Sequence, residues 1–439
     1  MNKKAFLYSL GCKINRYEIE YIREILSEFE FSFSNDYNEA DLIVVNTCTV
    51  TKKSENRSKQ YIRKFIKSNP NAFVIVTGCA VQFTPENFAD IEGIDLILGN
   101  IEKDDFRLFF KKFKDLRKNE FPILFVNKKI VENNYSFPEH IISDFSNRTR
   151  AFLKIQDGCE HFCSYCIVPY LRGRYRSRPI ENVIEQIKKF EDKGFKEVVL
   201  TGIHLGKYGM ETKKSLLSLL LKRILEETSI ERIRLTSIEP TELSDEIIEI
   251  ISQNNRICKH LHVPLQSGND KILKLMNRKY TTDYYRKKIL KLVDLVPDIG
   301  IGVDLIVGHP GETEDDFLIT YNFIKELPPL YLHVFSYSDR PGTVSYKMPD
   351  KVSKNEIKSR TKRMIMLGMY KRGLFYNKFI GEKMQILVES EPDHEGFQNG
   401  LTSNFIRVYF KSNKVLKNEF IDVKLTYIND ENRVIGELV

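Results

Sequence analysis

Three thiols at C-x₃-C-x₂-C spacing, Cys159, Cys163 and Cys166, lie in the stretch Gln156-Asp157-Gly158-Cys159-Glu160-His161-Phe162-Cys163-Ser164-Tyr165-Cys166. The stretch follows a short apolar run at residues 151–155. Thiolates so spaced can converge on one iron–sulfur cubane. Three sulfurs leave one iron of a four-iron cluster without a protein ligand, and an open iron is a place for an outside molecule to bind. Zinc is the first competitor, with His161 completing a Cys₃His set. Structural zinc sites usually draw their ligands as separated pairs, however, and His161 sits between two of the thiols, where reaching the same ion would strain the loop. Three buried, unliganded cysteines are the second. The cluster reading is preferred to both.

Three more thiols, Cys12, Cys48 and Cys79, each follow an apolar segment, at residues 5–10, 41–45 and 73–76. These segments read as strands, and residues 94–98, before Gly99-Asn100, as a fourth. Between them lie segments with helical periodicity, one carrying Ile19, Ile22, Ile25, Leu26 and Phe29, another basic with Ile62, Phe65 and Ile66 on its apolar face. Strands alternating with helices imply a parallel α/β sheet. Ligands of such sheets gather beyond the carboxyl ends of the strands. Three successive strands each delivering a cysteine to that edge predict a second, separately held cluster. Cys258 opens an apolar run at 257–265 and reads as core.

Stretches 151–155, 197–201, 232–237, 260–264, 301–307 and 331–335 give six further strands with helical segments between them, an incomplete (βα)₆ barrel. The last quarter opens on a basic helix over 353–370 and continues with short strands at 383–389, 405–410, 420–425 and 434–439, a small β-barrel. The expected domains are 1–120 (α/β), 121–145 (linker, within an irregular stretch at 121–147), 146–372 (partial barrel) and 373–439 (β-barrel).

The 439-residue chain has a formal charge of +8, with 42% hydrophobic and 29% charged residues, which suits a soluble protein with an anionic partner such as RNA. Seven cysteines are too few for a disulfide scaffold and point to a reducing, cytoplasmic setting. Lys3 and Lys4 precede an apolar run too short for a signal peptide, and no stretch is long enough to span a bilayer. Arg172, Arg174, Arg176 and Arg178 put four guanidiniums into seven residues beside the C-x₃-C-x₂-C loop, and are expected to contact substrate. From residue 375 onward eight Lys or Arg meet ten Asp or Glu, an acidic balance that suits an RNA clamp poorly. The phosphates are therefore expected on the basic helices at 52–67 and 353–370.

The C-x₃-C-x₂-C motif with Tyr165 before its last cysteine resembles the radical S-adenosylmethionine superfamily. Leu10-Gly11-Cys12-Lys13-Ile14-Asn15, Val45-Asn46-Thr47-Cys48-Thr49-Val50 and Thr77-Gly78-Cys79-Ala80 resemble that superfamily's methylthiotransferase group, and the likeness runs nearly end to end. Gly-Cys-Lys-Ile-Asn with Asn-Thr-Cys-Thr-Val is most similar to the branch acting on N6-threonylcarbamoyladenosine in tRNA. Sister branches, acting on isopentenyladenosine or on a ribosomal-protein aspartate, tend to show Gly-Cys-Gln-Met-Asn or Gly-Cys-Pro-Lys-Asn.

The resemblance implies two [4Fe–4S] clusters and S-adenosylmethionine. Cys159, Cys163 and Cys166 would hold the cluster that generates a 5′-deoxyadenosyl radical, and Cys12, Cys48 and Cys79 the cluster that presents sulfur. The radical would take the hydrogen from C2 of the purine next to the anticodon, an unactivated carbon that no general base easily deprotonates. The resemblance offers Tyr165, Thr201, Gly202, Ser237, Glu239, Gln266, Ser267, Val307 and Gly308 for the cofactor. Thr201-Gly202-Ile203-His204 departs from the superfamily's Gly-Gly-Glu at the second barrel strand. The C-terminal barrel is similar in position to the family's RNA-binding TRAM barrel. The implied partners are tRNA, a flavodoxin- or ferredoxin-like reductant and a sulfur donor, with the enzyme a cytoplasmic monomer. Methylthiolation of isopentenyladenosine or of the ribosomal aspartate stays open. A non-enzymatic iron–sulfur carrier would explain six thiols but not six βα units or the arginine run.

Overall fold

The computed structural model describes residues 3–439 apart from 139, 144, 146, 147 and 330. Six strands form the N-terminal sheet: β1 (Lys4–Ser9), β2 (Ser32–Phe33), β3 (Leu42–Thr47), β4 (Phe73–Gly78), β5 (Leu96–Leu98) and β6 (Ile123–Phe125). Their order is β2-β1-β3-β4-β5-β6, with every pairing parallel. Every residue of β3 and β4 is buried, as unbroken apolar strands covered on both faces must be. Alternate side chains feed two cores. Leu42, Val44 and Ile75 meet Ile22 and Phe106 on one face, while Ile43, Val45 and Val76 meet Ile62 and Phe65 on the other. The sheet runs further than expected, because β6 lies in the stretch read as linker. β6 is a three-residue apolar run behind Pro122, too short to show a period, and its approach is tied to β5 by Lys118 Nζ on Asp95 Oδ2 at 2.7 Å.

The middle of the chain contributes β7 (Arg150–Asp157), β8 (Arg176–Ser177), β9 (Glu197–Gly202), β10 (Arg232–Leu235), β11 (His260–His262), β12 (Gly300–Val307) and β13 (Tyr331–Ser336). β7, β9 and β10 pair in parallel, as do β11, β12 and β13. Parallel bridges Ile233–Ile257 and Ser237–His262 join the two groups into one curved sheet of six parallel strands, the partial barrel. β11 is shorter than the run 257–265 suggests, although Val263 N still donates to Gly302 O at 2.8 Å beyond its end. β8 pairs antiparallel with the end of β7, so part of the arginine run is a sheet edge.

The helix Lys13–Glu28 joins the first two units: Tyr17 is buried in the partial barrel's core, and Arg178 Nη1 donates to its hydroxyl at 3.1 Å. After the helix Lys354–Asn377 come β14 (Lys383–Val388), β15 (Phe397–Thr402), β16 (Arg407–Lys411), β17 (Phe420–Ile428) and β18 (Val434–Leu438), a closed barrel in the order β14-β15-β16-β18-β17. The sequence reading lacks β15 because Gln398-Asn399-Gly400 interrupts its alternation. Gly400 is needed there, since a Cβ would meet the Leu387 carbonyl at 2.7 Å. This barrel docks on the amino-terminal edge of the partial barrel. Arg232 Nη1 donates to Leu401 O (2.8 Å), Arg234 Nη1 to Ser403 O (3.0 Å) and Asn404 Nδ2 to Asp298 O (3.1 Å).

Candidate active site

The C-x₃-C-x₂-C loop leaves the carboxyl end of β7 through Gly158, whose φ is +75° and where a Cβ would fall 1.8 Å from the Arg174 carbonyl. Only glycine lets the returning strand pass so close. Backbone bonds then fix the loop: Cys159 N to Gly173 O, Ser164 N to Met276 O and Cys166 N to Cys163 O, each 3.0 Å. Asn277 Nδ2 donates to Phe162 O at 3.1 Å. Two side chains aim at the sulfurs. Arg278 Nη1 lies 3.4 Å from Cys163 Sγ while its other nitrogen binds Glu239, and His204 Nδ1 lies 3.4 Å from Cys159 Sγ with its Nε2 2.7 Å from Glu242 Oε1. Burial pushes the Cys166 thiol up to about 12 and that of Cys159 further. Burial also raises the Glu239 carboxyl, against the pull of Arg278.

A single tetrahedral zinc would draw three sulfurs to within about 3.8 Å of one another. Among the described residues only His161, His204 and Glu242 have ligand atoms all within 4.8 Å, and neither cysteine triplet is so compact. His161 faces His204 edge-on at 4.2 Å rather than joining the thiols, so the Cys₃His reading fails. Polar side chains set against two of the sulfurs, Arg278 at Cys163 and His204 at Cys159, suit a polynuclear cluster, whose potential depends on such contacts.

Cys12, Cys48 and Cys79 follow β1, β3 and β4, which are neighbours in the sheet, so their sulfurs share one edge. Cys12 caps the helix Lys13–Glu28, and Cys79 opens the short helix Cys79–Phe83. Gly11, at φ +95°, brings the backbone so near Cys48 that a Cβ would lie 2.6 Å from its Sγ. Asn15 ties the strand ends together, donating to Leu10 O (2.8 Å) and Thr47 O (2.9 Å) while accepting from Arg172 Nη2 (3.0 Å). Asn100 Nδ2 sits 3.8 Å from Cys79 Sγ and donates to Leu171 O. Burial, with smaller contributions from the neighbouring Cys79 and Cys12, pushes the Cys48 thiol up to about 12. Buried thiols hold their protons until a metal displaces them.

Beside Cys166 lies a cavity of about 200 Å³. Val50 and Thr51, just past Cys48, line one side, and Tyr165, Cys166 and Gln266 another. Of the residues expected at the cofactor, Tyr165 and Gln266 reach this cavity. Thr201 and Gly202 end β9, while Val307 ends β12 and is followed by Gly308 at φ +84°. Ser237 bridges to His262, Glu239 binds Arg278, and Ser267 turns its hydroxyl to Thr320 Oγ1 at 3.1 Å. The sequence reading lacks Arg278, Asn277, Glu242 and Asn100, which sit in no motif of their own; Asn15 lies within the Gly-Cys-Lys-Ile-Asn signature.

The arginine run lies deeper than its charge suggests. Arg174 is exposed, whereas Arg172, Arg176 and Arg178 are buried and paired within the protein, with Glu18, Asp104 and the Tyr17 hydroxyl among their partners. Glu18 receives Arg172, Lys103 (2.6 Å) and Lys154 (3.4 Å); Asp157 receives Lys154 (2.6 Å), Arg176 (3.0 Å) and Arg172 (3.5 Å). Burial pushes both carboxyls up, yet these cations outweigh it and hold Glu18 and Asp157 below the ordinary range. Charges buried in the seam between two sheets must be paired there, and Glu18 and Asp157 each serve three cations.

The radical S-adenosylmethionine superfamily profile matches residues 153–324, and that of the uncharacterized protein family UPF0004 matches 4–99. The threonylcarbamoyladenosine tRNA methylthiotransferase of Bacillus subtilis is 38% identical over 95% of this chain and 92% of its own. The chain belongs to the radical S-adenosylmethionine methylthiotransferase family. The Thermotoga maritima threonylcarbamoyladenosine tRNA methylthiotransferase is 33% identical, covering 98% of this methylthiotransferase and 96% of its own length. The tRNA-2-methylthio-N(6)-dimethylallyladenosine synthase of Petrotoga mobilis is 32% identical over 99% of each chain. In fold, the methylthiotransferase is similar to a radical S-adenosylmethionine methyltransferase from Kitasatospora setae, with a TM-score of 0.55 at 15% identity over 76% of this chain and 75% of that one. Radical S-adenosylmethionine enzymes use a [4Fe–4S] cluster and S-adenosylmethionine, and methylthiotransferases carry a second cluster. Among the described residues no helix is long and apolar enough to cross a membrane.

Proposed function

We propose that this enzyme inserts a methylthio group at C2 of N6-threonylcarbamoyladenosine next to the anticodon of tRNA. The observation that carries the reading is one cavity lined by Cys166 of the first cysteine set and by Val50 and Thr51, which follow Cys48 of the second. Cys159, Cys163 and Cys166 would hold the cluster that takes S-adenosylmethionine, and Cys12, Cys48 and Cys79 the second cluster. When bound, these groups supply the radical and the sulfur. The protein's own part is position. Arg278 donates a hydrogen bond to Cys163, and the His204 ring sits 3.4 Å from the Cys159 sulfur. Asn15 and Asn100 hold the ends that carry Cys12 and Cys79. Tyr165, Ile306 and Phe335 wall the cavity with apolar surface that limits water around a reactive species.

The threonylcarbamoyl substrate is favoured over the dimethylallyl one by the relatives: those named for the former reach 38% and 35% identity, the latter 33%. The Gly-Cys-Lys-Ile-Asn sequence supports the same branch. A flavodoxin- or ferredoxin-like reductant and a sulfur donor complete the reaction, which we place in the cytoplasm with a monomeric enzyme. Nucleoside mass analysis of tRNA from cells lacking the gene tests the substrate. Loss of the methylthio form of threonylcarbamoyladenosine is expected; loss of the isopentenyl form alone would reassign it.

A further inference from the structure

We propose that Lys13 selects the substrate: its ammonium, unpaired inside the partial barrel, binds the carboxylate of the threonylcarbamoyl group, which a dimethylallyl group lacks. This rests on the threonylcarbamoyladenosine reading and names the residue that enforces it.

The cavity continues down into the barrel. Alternate residues of a strand face opposite ways. On β13 Leu332 packs outward, where a Cβ on Gly368 of the helix Lys354–Asn377 would meet it at 3.0 Å. Phe335 faces inward and lines the cavity. His333, two residues earlier, shares that inner face roughly 7 Å deeper and is exposed there. Asp304 of β12 is its partner in the ladder and lines the cavity too. Below them the barrel is closed: the Tyr331 hydroxyl meets His260 Nε2 at 2.6 Å, and His260 stacks on Phe405 at 4.2 Å.

Lys13 reaches this space from the start of the helix Lys13–Glu28. Its ammonium is within electrostatic reach of His333 and His260 on one side and of Arg150 and Arg234 on the other. These residues stand on β13, β11, β7 and β10. β7 and β13 are the two ends of the run of parallel strands, so a group near both lies inside its curve.

Nothing there neutralises it. Lys13 is mostly buried, and among the described residues its ammonium forms neither an ion pair nor a hydrogen bond. The charges that act on it are mainly cations, Arg150, Arg234 and Arg16, against Glu197. Glu197 is already taken by Arg234 at 2.7 Å, with Arg150 and Arg232 each at 3.7 Å. Asp304 Oδ1 lies 2.9 Å from His262 Nε2. A buried cation without a partner is costly, and an anion arriving from the cavity removes that cost.

The substrate carries such an anion. A purine held by C2 beside Cys166 directs its N6 substituent away from that carbon, and the barrel interior is the polar space next to the cavity. A group without the carboxylate leaves Lys13 unpaired, and a site built around a polar contact rejects ligands that lack it far more strongly than it rejects a change of shape. The carboxylate of S-adenosylmethionine belongs to the open iron on the Cys159, Cys163 and Cys166 set, whereas Lys13 adjoins Cys12 of the other set.

The test is equilibrium binding of reconstituted enzyme, without S-adenosylmethionine, to fluorescent anticodon stem-loops. These carry threonylcarbamoyladenosine, its methyl ester or isopentenyladenosine. Wild type should bind the acid at least about tenfold more tightly than the ester, as a charge-assisted contact in a buried site requires. In Lys13→Met the ratio should fall below about twofold, and Lys13→Arg, which keeps a cation, should retain most of it. Iron and sulfide analysis checks that the Cys12 set still loads in each variant, and the ester comparison on wild type needs no variant at all. Equal binding of acid and ester by wild type would overturn the carboxylate contact. A wild-type ratio in Lys13→Met would overturn the assignment to Lys13, as would an unchanged ratio joined to a tenfold rise in the KM for S-adenosylmethionine. A wild type that prefers the isopentenyladenosine loop would instead refute the substrate reading.

Discussion

Replacing Arg172 by Met should destabilise the protein substantially, and the size follows from its partners. Arg172 pairs with Glu18 and Asp157 and donates to Asn15, all in the seam between the N-terminal sheet and the partial barrel. Removing one member of a buried ion network typically costs about 3–5 kcal/mol, because a buried charge is left uncompensated. Here each carboxylate keeps two cations, Lys103 and Lys154 on Glu18, Lys154 and Arg176 on Asp157. The loss should therefore sit near the lower end, about 3 kcal/mol. At about 2–4 °C per kcal/mol that is a fall in melting temperature of roughly 6–12 °C. Thermal melting of anaerobically prepared protein measures it, with Arg174→Met as the comparison. Arg174 is exposed, and its replacement should stay within about 0.5 kcal/mol of wild type. If both variants melt together at the wild-type temperature, the arginine run is not the scaffold described here.

The same network sets an acid limit. Glu18 and Asp157 have folded pKa values below their unfolded ones, so their stabilisation is complete above about pH 4.3 and is lost as pH falls through the depressed values. Melting temperature should drop steeply below about pH 4, and less steeply in Arg172→Met. Gly158→Ala forces a Cβ into the Arg174 carbonyl at a positive φ, and iron loading on the C-x₃-C-x₂-C loop should fail while the protein remains folded by circular dichroism. Cys163→Ala should abolish formation of 5′-deoxyadenosine. Cys79→Ala should retain it without methylthiolated product; full product from that variant would dissolve the division of labour between the triplets.

Much of this architecture is readable from apolar runs. β3 and β4 are buried on both faces, so their sequences are near-continuous hydrophobic segments, and their ends mark the edge where Cys48 and Cys79 stand. What escapes is held by polar contacts. β6 is only Ile123-Leu124-Phe125, three apolar residues behind Pro122 that are too short a run to show a period, and β15 is interrupted by Gln398-Asn399-Gly400; each is fixed by pairing to its neighbour. The arginine run misleads for a related reason. Four guanidiniums in seven residues read as surface until Glu18, more than 150 residues away, is seen to enter the same seam. Arg278 and His204 likewise gain their meaning only from the sulfurs opposite. Spacing along a chain signals ligands that share a loop, and is silent about donors brought in from other strands.

Iron and acid-labile sulfide analysis, with Mössbauer spectra, of anaerobically reconstituted wild type and of the Cys12→Ala/Cys48→Ala/Cys79→Ala variant tests the central claim most directly. Two [4Fe–4S] clusters per chain in the wild type and one in the variant, still able to cleave S-adenosylmethionine, is the predicted result. A single cluster in the wild type, or two in the variant, would contradict it.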